Sequence, residues 1–210
     1  MRIRIKFSKS GGLRFIGHLD LHKIWERSTR RADIPLLYSQ GFHPQPKIQI
    51  ACALPLGFAS NCELVDLWVD GTPDLFILKD SLSKAVPPGL KILDVENVDE
   101  KGPPLQTQVQ SAEYKISLDQ KTDIDSLRQK VEECNKAEKI LRERRGKPYD
   151  LRPLIELLEV NLDDLKEKPQ IHMILASREG ATGRPEEVLD FLGIPFDETY
   201  IERIHLIFKT

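Results

Sequence analysis

Residues 2–7 alternate without a break, with Ile3, Ile5 and Phe7 on one side and Arg2, Arg4 and Lys6 on the other. A period of two belongs to a strand with one buried face; wound as a helix, the same residues would scatter around the axis. The segment therefore predicts a half-buried strand. It demands an apolar layer over Ile3, Ile5 and Phe7 and leaves a basic face outside.

The next segments can supply that layer. Ser8 to Gly12 reads as a turn. Residues 18–32 place Leu21, Ile24, Trp25, Ser28 and Ala32 on one helical side, with Lys23, Arg27, Arg30 and Arg31 opposite. Pro35 stops this helix. Leu36 to Ser39 and Lys47 to Cys52 are short strand candidates around a Gly- and Pro-containing loop, residues 40–46. Glu63 to Asp70 alternates, with Leu64, Asp66, Trp68 and Asp70 on one face. A helix over Asp74 to Ala85 and a strand over Leu90 to Val98 follow. This β-α-β-β-α-β order is that of the ferredoxin-like split βαβ.

The second half predicts the same theme. Strands are expected at Ala112 to Leu118, Glu138 to Glu143, Arg152 to Val160, Gln170 to Ala176 and Tyr200 to Lys209. Helices are expected at Asp123 to Asn135, capped by Asp123, and at Pro185 to Leu192. The expected fold class is α+β, as two tandem ferredoxin-like modules, residues 1–98 and 111–210. A polar linker, residues 99–110 with Gly102-Pro103-Pro104, joins them.

Composition enters through charge. The 210 residues hold 31 Lys and Arg against 33 Asp and Glu, for a net charge of -2. Residues 1–50 alone carry ten basic residues against three acidic ones. The chain is polarised, so a local polyanion site in the first module is open while whole-surface attraction is excluded. Cys52, Cys62 and Cys134 form neither a disulfide framework nor a zinc pattern. No apolar run resembles a signal peptide or membrane span, and a cytoplasmic setting is expected, with no membrane partner. No phosphate loop, dinucleotide fingerprint or nucleophile elbow is present, so no cofactor is expected.

Four constellations can carry chemistry. The first is basic: Arg2, Arg4, Lys6, Lys9 and Arg14, then Lys23, Arg27, Arg30, Arg31 and Lys47. An open sheet face with basic residues and an aromatic platform such as Trp68 suits single-stranded RNA, although Asp66 and Asp70 can instead pair with the arginines across the sheet. The second is His18 and His22, four apart on one helical face, with His43 in the loop; such groups can act as general acid or base or bind metal. No Glu follows His18 as a metalloprotease motif requires, and no metal is expected. The third is the rigid loop bearing Phe42, His43 and Lys47, followed by apolar Leu54, Leu56 and Phe58. The fourth is Thr182, Gly183 and Arg184 ahead of the helix at Pro185, a candidate anion site.

Several segments together resemble a family. Lys6-Phe7, Leu13-Arg-Phe-Ile-Gly-His-Leu-Asp20, Tyr38-Ser-Gln-Gly-Phe-His-Pro-Gln-Pro-Lys47, Ala53-Leu-Pro-Leu-Gly57, Glu63-Leu-Val-Asp66, Tyr149-Asp-Leu-Arg-Pro153 and Gly183-Arg-Pro185 resemble the radical-SAM-linked bacterial domain of unknown function. The resemblance implies a cobalamin-binding radical-SAM protein as partner and no established reaction. The chain lacks the cysteine triplet of a radical-SAM cluster, so it is not that enzyme. A looser resemblance, in element order and basic character, is to the tandem ferredoxin-like RNA-processing proteins of bacterial immunity.

The leading expectation is an accessory module, without activity of its own, that presents tRNA or rRNA to a radical-SAM partner. Its contacts would be Arg2, Arg4, Lys6, Arg14, Arg27, Arg31, His43 and Lys47. One alternative is a metal-independent ribonuclease using His18, His22 or His43. The other is a protein-binding adaptor using Leu54, Leu56 and Phe58.

Overall fold

The computed structural model describes residues 1–163 and 168–209. The chain is mixed α+β, with antiparallel pairing and five α-helices among the described residues. It divides into two units, Met1–Val109 and Gln110–Thr210.

In the first unit, β1 (Arg2–Lys9) leads through α1 (His18–Arg31) to the short β2 (Ile48–Ile50). Then come β3 (Ala59–Trp68), α2 (Leu75–Ala85), β4 (Leu90–Val98) and a one-turn α3 (Leu105–Gln108). Pairing gives the order β2-β3-β1-β4, antiparallel throughout. The opening alternation explains why β1 is central: Ile3, Ile5 and Phe7 are all 0% exposed. They share one core with Leu21 and Trp25 of α1 and Leu78 and Leu82 of α2. Phe7 meets Trp25 edge to face, ring centroids 4.9 Å apart, the geometry aromatic quadrupoles favour. Asp74 caps α2 by accepting from the backbone N–H of Phe76 and Ile77.

The expected strand at Leu36 to Ser39 is absent. Only two isolated bridges form there, Leu36 with Val69 and Tyr38 with Pro46. Pro44 and Pro46 on the segment facing Tyr38 have no N–H to donate, so no continuous ladder forms. The expected linker is also different. Residues 99–109 fold with the first unit, and Leu105 is 0% exposed.

In the second unit, β5 (Val109–Ser117) precedes α4 (Ile124–Lys136) and the hairpin β6 (Leu141–Arg144) and β7 (Lys147–Asp150). Then follow β8 (Ile155–Asp163), β9 (Lys168–Arg178), the two-residue β10 (Ala181–Thr182), α5 (Pro185–Leu192) and β11 (Tyr200–Phe208). The order is β8-β9-β5-β11, with β10 also on β9. Asp123 caps α4 as expected. The expected strand over Glu138 to Glu143 forms, shifted to Leu141–Arg144, as the first arm of a hairpin. It turns at Arg145 and Gly146, whose φ values of 52° and 74° are both positive, as a type I′ turn requires.

Candidate nucleic-acid interface

The face of β1 opposite the core carries Arg2, Arg4 and Lys6. Arg4 lies opposite Asp66 on β3 and Arg2 opposite Trp68. Asp66 is 0% exposed. It accepts from Arg2 Nε at 2.9 Å and Nη2 at 2.6 Å, and from Arg4 Nε at 2.9 Å and Nη2 at 3.0 Å. The hydrogen bond to Asp66 raises the Arg4 pKa, against the opposing effect of burial. The remaining N–H groups of Arg2 donate to the carbonyls of Asp99 at 3.3 Å, Gly102 at 2.9 Å and Pro103 at 3.0 Å. All five guanidinium N–H groups are thus consumed, and the side chain is 2% exposed. Arg2 is therefore corrected from a nucleic-acid contact to a clamp, and Arg4 gives two of its five N–H groups to the same carboxylate. Lys6 is exposed, but opposite Asp94 of β4. Lys9, in phase with Ile3, Ile5 and Phe7, is buried and donates to the Ile16 carbonyl at 3.0 Å.

Arg2 has a second consequence. Its guanidinium stands 4.9 Å from the Trp68 ring centroid, a cation–π arrangement that fixes the indole. Trp68 then lines a groove of 370 Å³ with Ser39, Gln45, Pro46, Lys47, Ile48 and Gln49. The adjoining loop is closed on itself. Ser39 N donates to the Gln45 carbonyl at 2.8 Å, and Gln45 N donates to Ser39 Oγ at 2.9 Å. Phe42 at its tip is fully exposed, at 102%, and His43 beside it is exposed too. Lys47 is exposed and has no ion pair among the described residues. Gln49 uses its Oε1 to accept from Leu105 N at 3.2 Å, which assigns its amide end as donor. Sequence reasoning missed Ser39, Gln45 and Gln49. Gln49 was legible as the polar position between Ile48 and Ile50.

His18 opens α1, and His22 Nε2 lies 3.2 Å from the Ile48 carbonyl. Burial, then the neighbouring His22, lowers the His18 pKa, with Lys9 adding to this and Glu63 opposing it. His18 is therefore neutral at pH 7. His43 stands apart from this α1 pair in chain position, on the exposed 39–45 loop. No group of three or more His, Cys, Asp and Glu side chains among the described residues forms a metal-holding arrangement.

Arg14 Nε donates to the Gly57 carbonyl at 2.6 Å, and Gly57 N donates to the Arg14 carbonyl at 2.8 Å. Arg14 is thus a clip for the 53–58 loop. Within that loop Leu54 and Phe58 are buried while Leu56 is exposed, so the three do not form one docking face. Arg27 and Arg31 lie on α1, around a separate cleft that shares no residue with the groove.

The expected anion site at Thr182, Gly183 and Arg184 is corrected. Two carboxylates, Glu186 and Glu187, fill the first turn of α5 and already complement its positive end. Arg144 donates to the Thr182 carbonyl at 3.3 Å, and Gly183 N donates to the Ala176 carbonyl at 2.9 Å. The basic hairpin is neutralised by the same helix: Arg142 pairs with Asp190 at 3.2 Å and Arg144 with Glu187 at 2.8 Å. Tyr149 donates to Glu187. Burial and that bond push the Tyr149 pKa up to about 12.

The fold and groove define a mixed α+β protein with a polar and aromatic surface slot. The chain belongs to the uncharacterized protein family conserved in bacteria (DUF2344), whose model matches residues 2–185. No curated protein matches it. Among solved structures, a chain in a crystal structure of a Cbf5-Nop10-Gar1 complex is similar at 11% identity and a TM-score of 0.50. The match covers 97% of this chain and 48% of that one, so this chain spans about half its length. A proposed glycine cleavage system transcriptional repressor matches at 11% identity, covering 99% of this chain and 98% of that one. Its TM-score of 0.26 carries no argument about fold. No helix among the described residues is long and apolar enough to cross a membrane.

Proposed function

We propose that the chain is an RNA-binding module built from two ferredoxin-like units, and that its groove takes an unpaired base. The observation that carries the reading is Trp68. It is held by Arg2 on one side and lines a groove whose rim holds Lys47 and the amide of Gln49. An aromatic platform beside a cation and an amide donor is the arrangement that single-stranded RNA modules use. Phe42, displayed on a closed loop next to the groove, offers a second ring for stacking. The strand orders of the two units, each with its third strand between the first and second, support the tandem fold.

The sequence resemblance supports a radical-SAM protein as the partner to which RNA is presented, in the cytoplasm. In this reading the chain itself performs no reaction.

Filter binding of the purified protein to single-stranded and duplex RNA at several salt concentrations tests the proposal. Salt-sensitive binding that prefers single strands is expected. Trp68→Ala should weaken it by about 1–3 kcal/mol, and Lys47→Ala should reduce the salt dependence. Affinity that ignores both substitutions would sink the reading.

A further inference from the structure

We propose that the cleft on α1 docks an acidic segment of a partner protein, with one apolar side chain of that segment seated on its floor. The cleft has a volume of 340 Å³ and is lined by Leu13, Ile24 and Pro87 with Arg27, Arg30 and Arg31. The three apolar residues are half-buried and the three arginines exposed.

Charge selects the occupant. Arg2, Arg4, Arg142, Arg144 and Arg178 each meet a carboxylate within the protein. Arg27, Arg30 and Arg31 meet none among the described residues. The contact Arg31 does make is with a neutral group, Ser28 Oγ at 3.4 Å. Arg30 and Arg31 stand in the last turn of α1, where the helix carbonyls hold cations in place. Such a triad draws carboxylates, and arginine is the cation that protein interfaces favour.

The floor separates protein from nucleic acid. It is aliphatic, and no aromatic ring lines the cleft. A base would find no stacking platform there, whereas a leucine or phenylalanine side chain would lose apolar surface to Leu13, Ile24 and Pro87. The helix that displays the arginines is fixed from below. Leu21, Trp25, Ser28 and Thr29 are its buried positions, so the triad is presented on a rigid element. The cleft is independent of the RNA groove, and either proposal can fail alone.

Fluorescence anisotropy of the full chain tests this. The probe is a labelled ten-residue peptide of Glu and Asp with a central Leu-Phe pair. Binding should be salt-sensitive. It should weaken about tenfold in the combined Arg27→Ser, Arg30→Ser, Arg31→Ser variant, and by a similar factor when the probe's Leu-Phe becomes Ser-Ser. Lys47→Ala should leave it unchanged. A thermal melt verifies that the triple variant is folded; if it is not, Arg27→Ser alone should still weaken binding. Three results overturn the proposal. The first is a peptide affinity equal in wild type and variant. The second is a triple variant that loses single-stranded RNA while the peptide fails to compete for it, which makes the cleft an RNA contact. The third is a wild-type dimer that the variant does not form, which makes the occupant a second copy.

Discussion

Arg2 and Asp66 are joined by two hydrogen bonds of 2.9 and 2.6 Å, in a place where the acid is 0% and the arginine 2% exposed. A carboxylate so placed is stable only because Arg4 shares it, and the Arg2 guanidinium only because three backbone carbonyls finish its hydrogen bonding. The pair ties the second residue of the chain to residues near position 100.

Removing one partner should therefore be costly. Arg2→Met is expected to destabilise the protein by about 3 kcal/mol, because it leaves a buried carboxylate with one cation and frees three carbonyls. Arg2→Lys should recover only part of this, since one ammonium cannot span Asp66 and three carbonyls. Urea denaturation measures both. A loss under about 0.5 kcal/mol for Arg2→Met, the range of an ordinary surface change, would show that the clamp is not structural.

The depressed pKa of His18 makes stability pH-dependent. Its ordinary value is 6.5 and its folded value is lower, so the unfolded chain takes up the proton first as pH falls. The contribution is complete above 6.5 and is lost as pH drops through that value toward the folded one. His18→Gln should flatten this part of a stability profile. A variant profile parallel to wild type below pH 6.5 would refute the assignment.

Glu186 behaves in the opposite sense. Burial raises its pKa above the ordinary 4.5, and its Oε2 is buried without a hydrogen-bond partner among the described residues. The folded chain holds the proton longer, so stability is lost as pH rises from 4.5 through the folded value. Glu186→Gln should be more stable than wild type at pH 7, by less than about 1 kcal/mol because the group is partly open to solvent. The two proteins should converge at pH 4. Thermal melts at both pH values check this, and a variant less stable at pH 7 would contradict it.

Gly183 serves packing. A Cβ there would lie 3.0 Å from the Leu154 carbonyl oxygen and 3.2 Å from Leu175 Cβ. Gly183→Ala is expected to cost about 1–3 kcal/mol without altering binding of phosphate ions. Isothermal calorimetry that finds phosphate bound by wild type and lost in the variant would restore the anion site.

The elements that sequence reasoning located are those whose information is local. Ile3, Ile5 and Phe7 announce β1 by period, and Asp123 announces α4 by the hydrogen bonds a cap makes. The pairing of Asp66 with the strand arginines was legible as one of two options, because residues sharing a sheet face either bind a ligand or bind each other. What was illegible is the cover over that face. Arg2 binds the carbonyls of residues 99, 102 and 103, and every residue has a carbonyl, so no side-chain pattern marks those positions. The type I′ turn carries a signal in Gly146, and only the positive φ of Arg145, rare outside glycine, has no mark in the sequence. The neutralised α5 terminus was misread because Gly183 and Arg184 suggested an anion, while Glu186 and Glu187 had already taken its place.

The central position of β1 has a consequence for synthesis. A ribosome delivers the middle strand of this sheet first, its neighbours β3 and β4 tens of residues later, and the carbonyls that close around Arg2 later still. α1 soon follows to cover Ile3, Ile5 and Phe7, but both edges of β1 stay without a partner strand for that interval, at elongation rates of roughly 5–20 residues per second. The emerging chain must keep this strand waiting unpaired for seconds. The three cations at Arg2, Arg4 and Lys6, interleaved with those apolar residues, keep the waiting strand from pairing with another copy of itself. The charges that look designed for a ligand thus protect the nascent chain before two of them are sealed against Asp66.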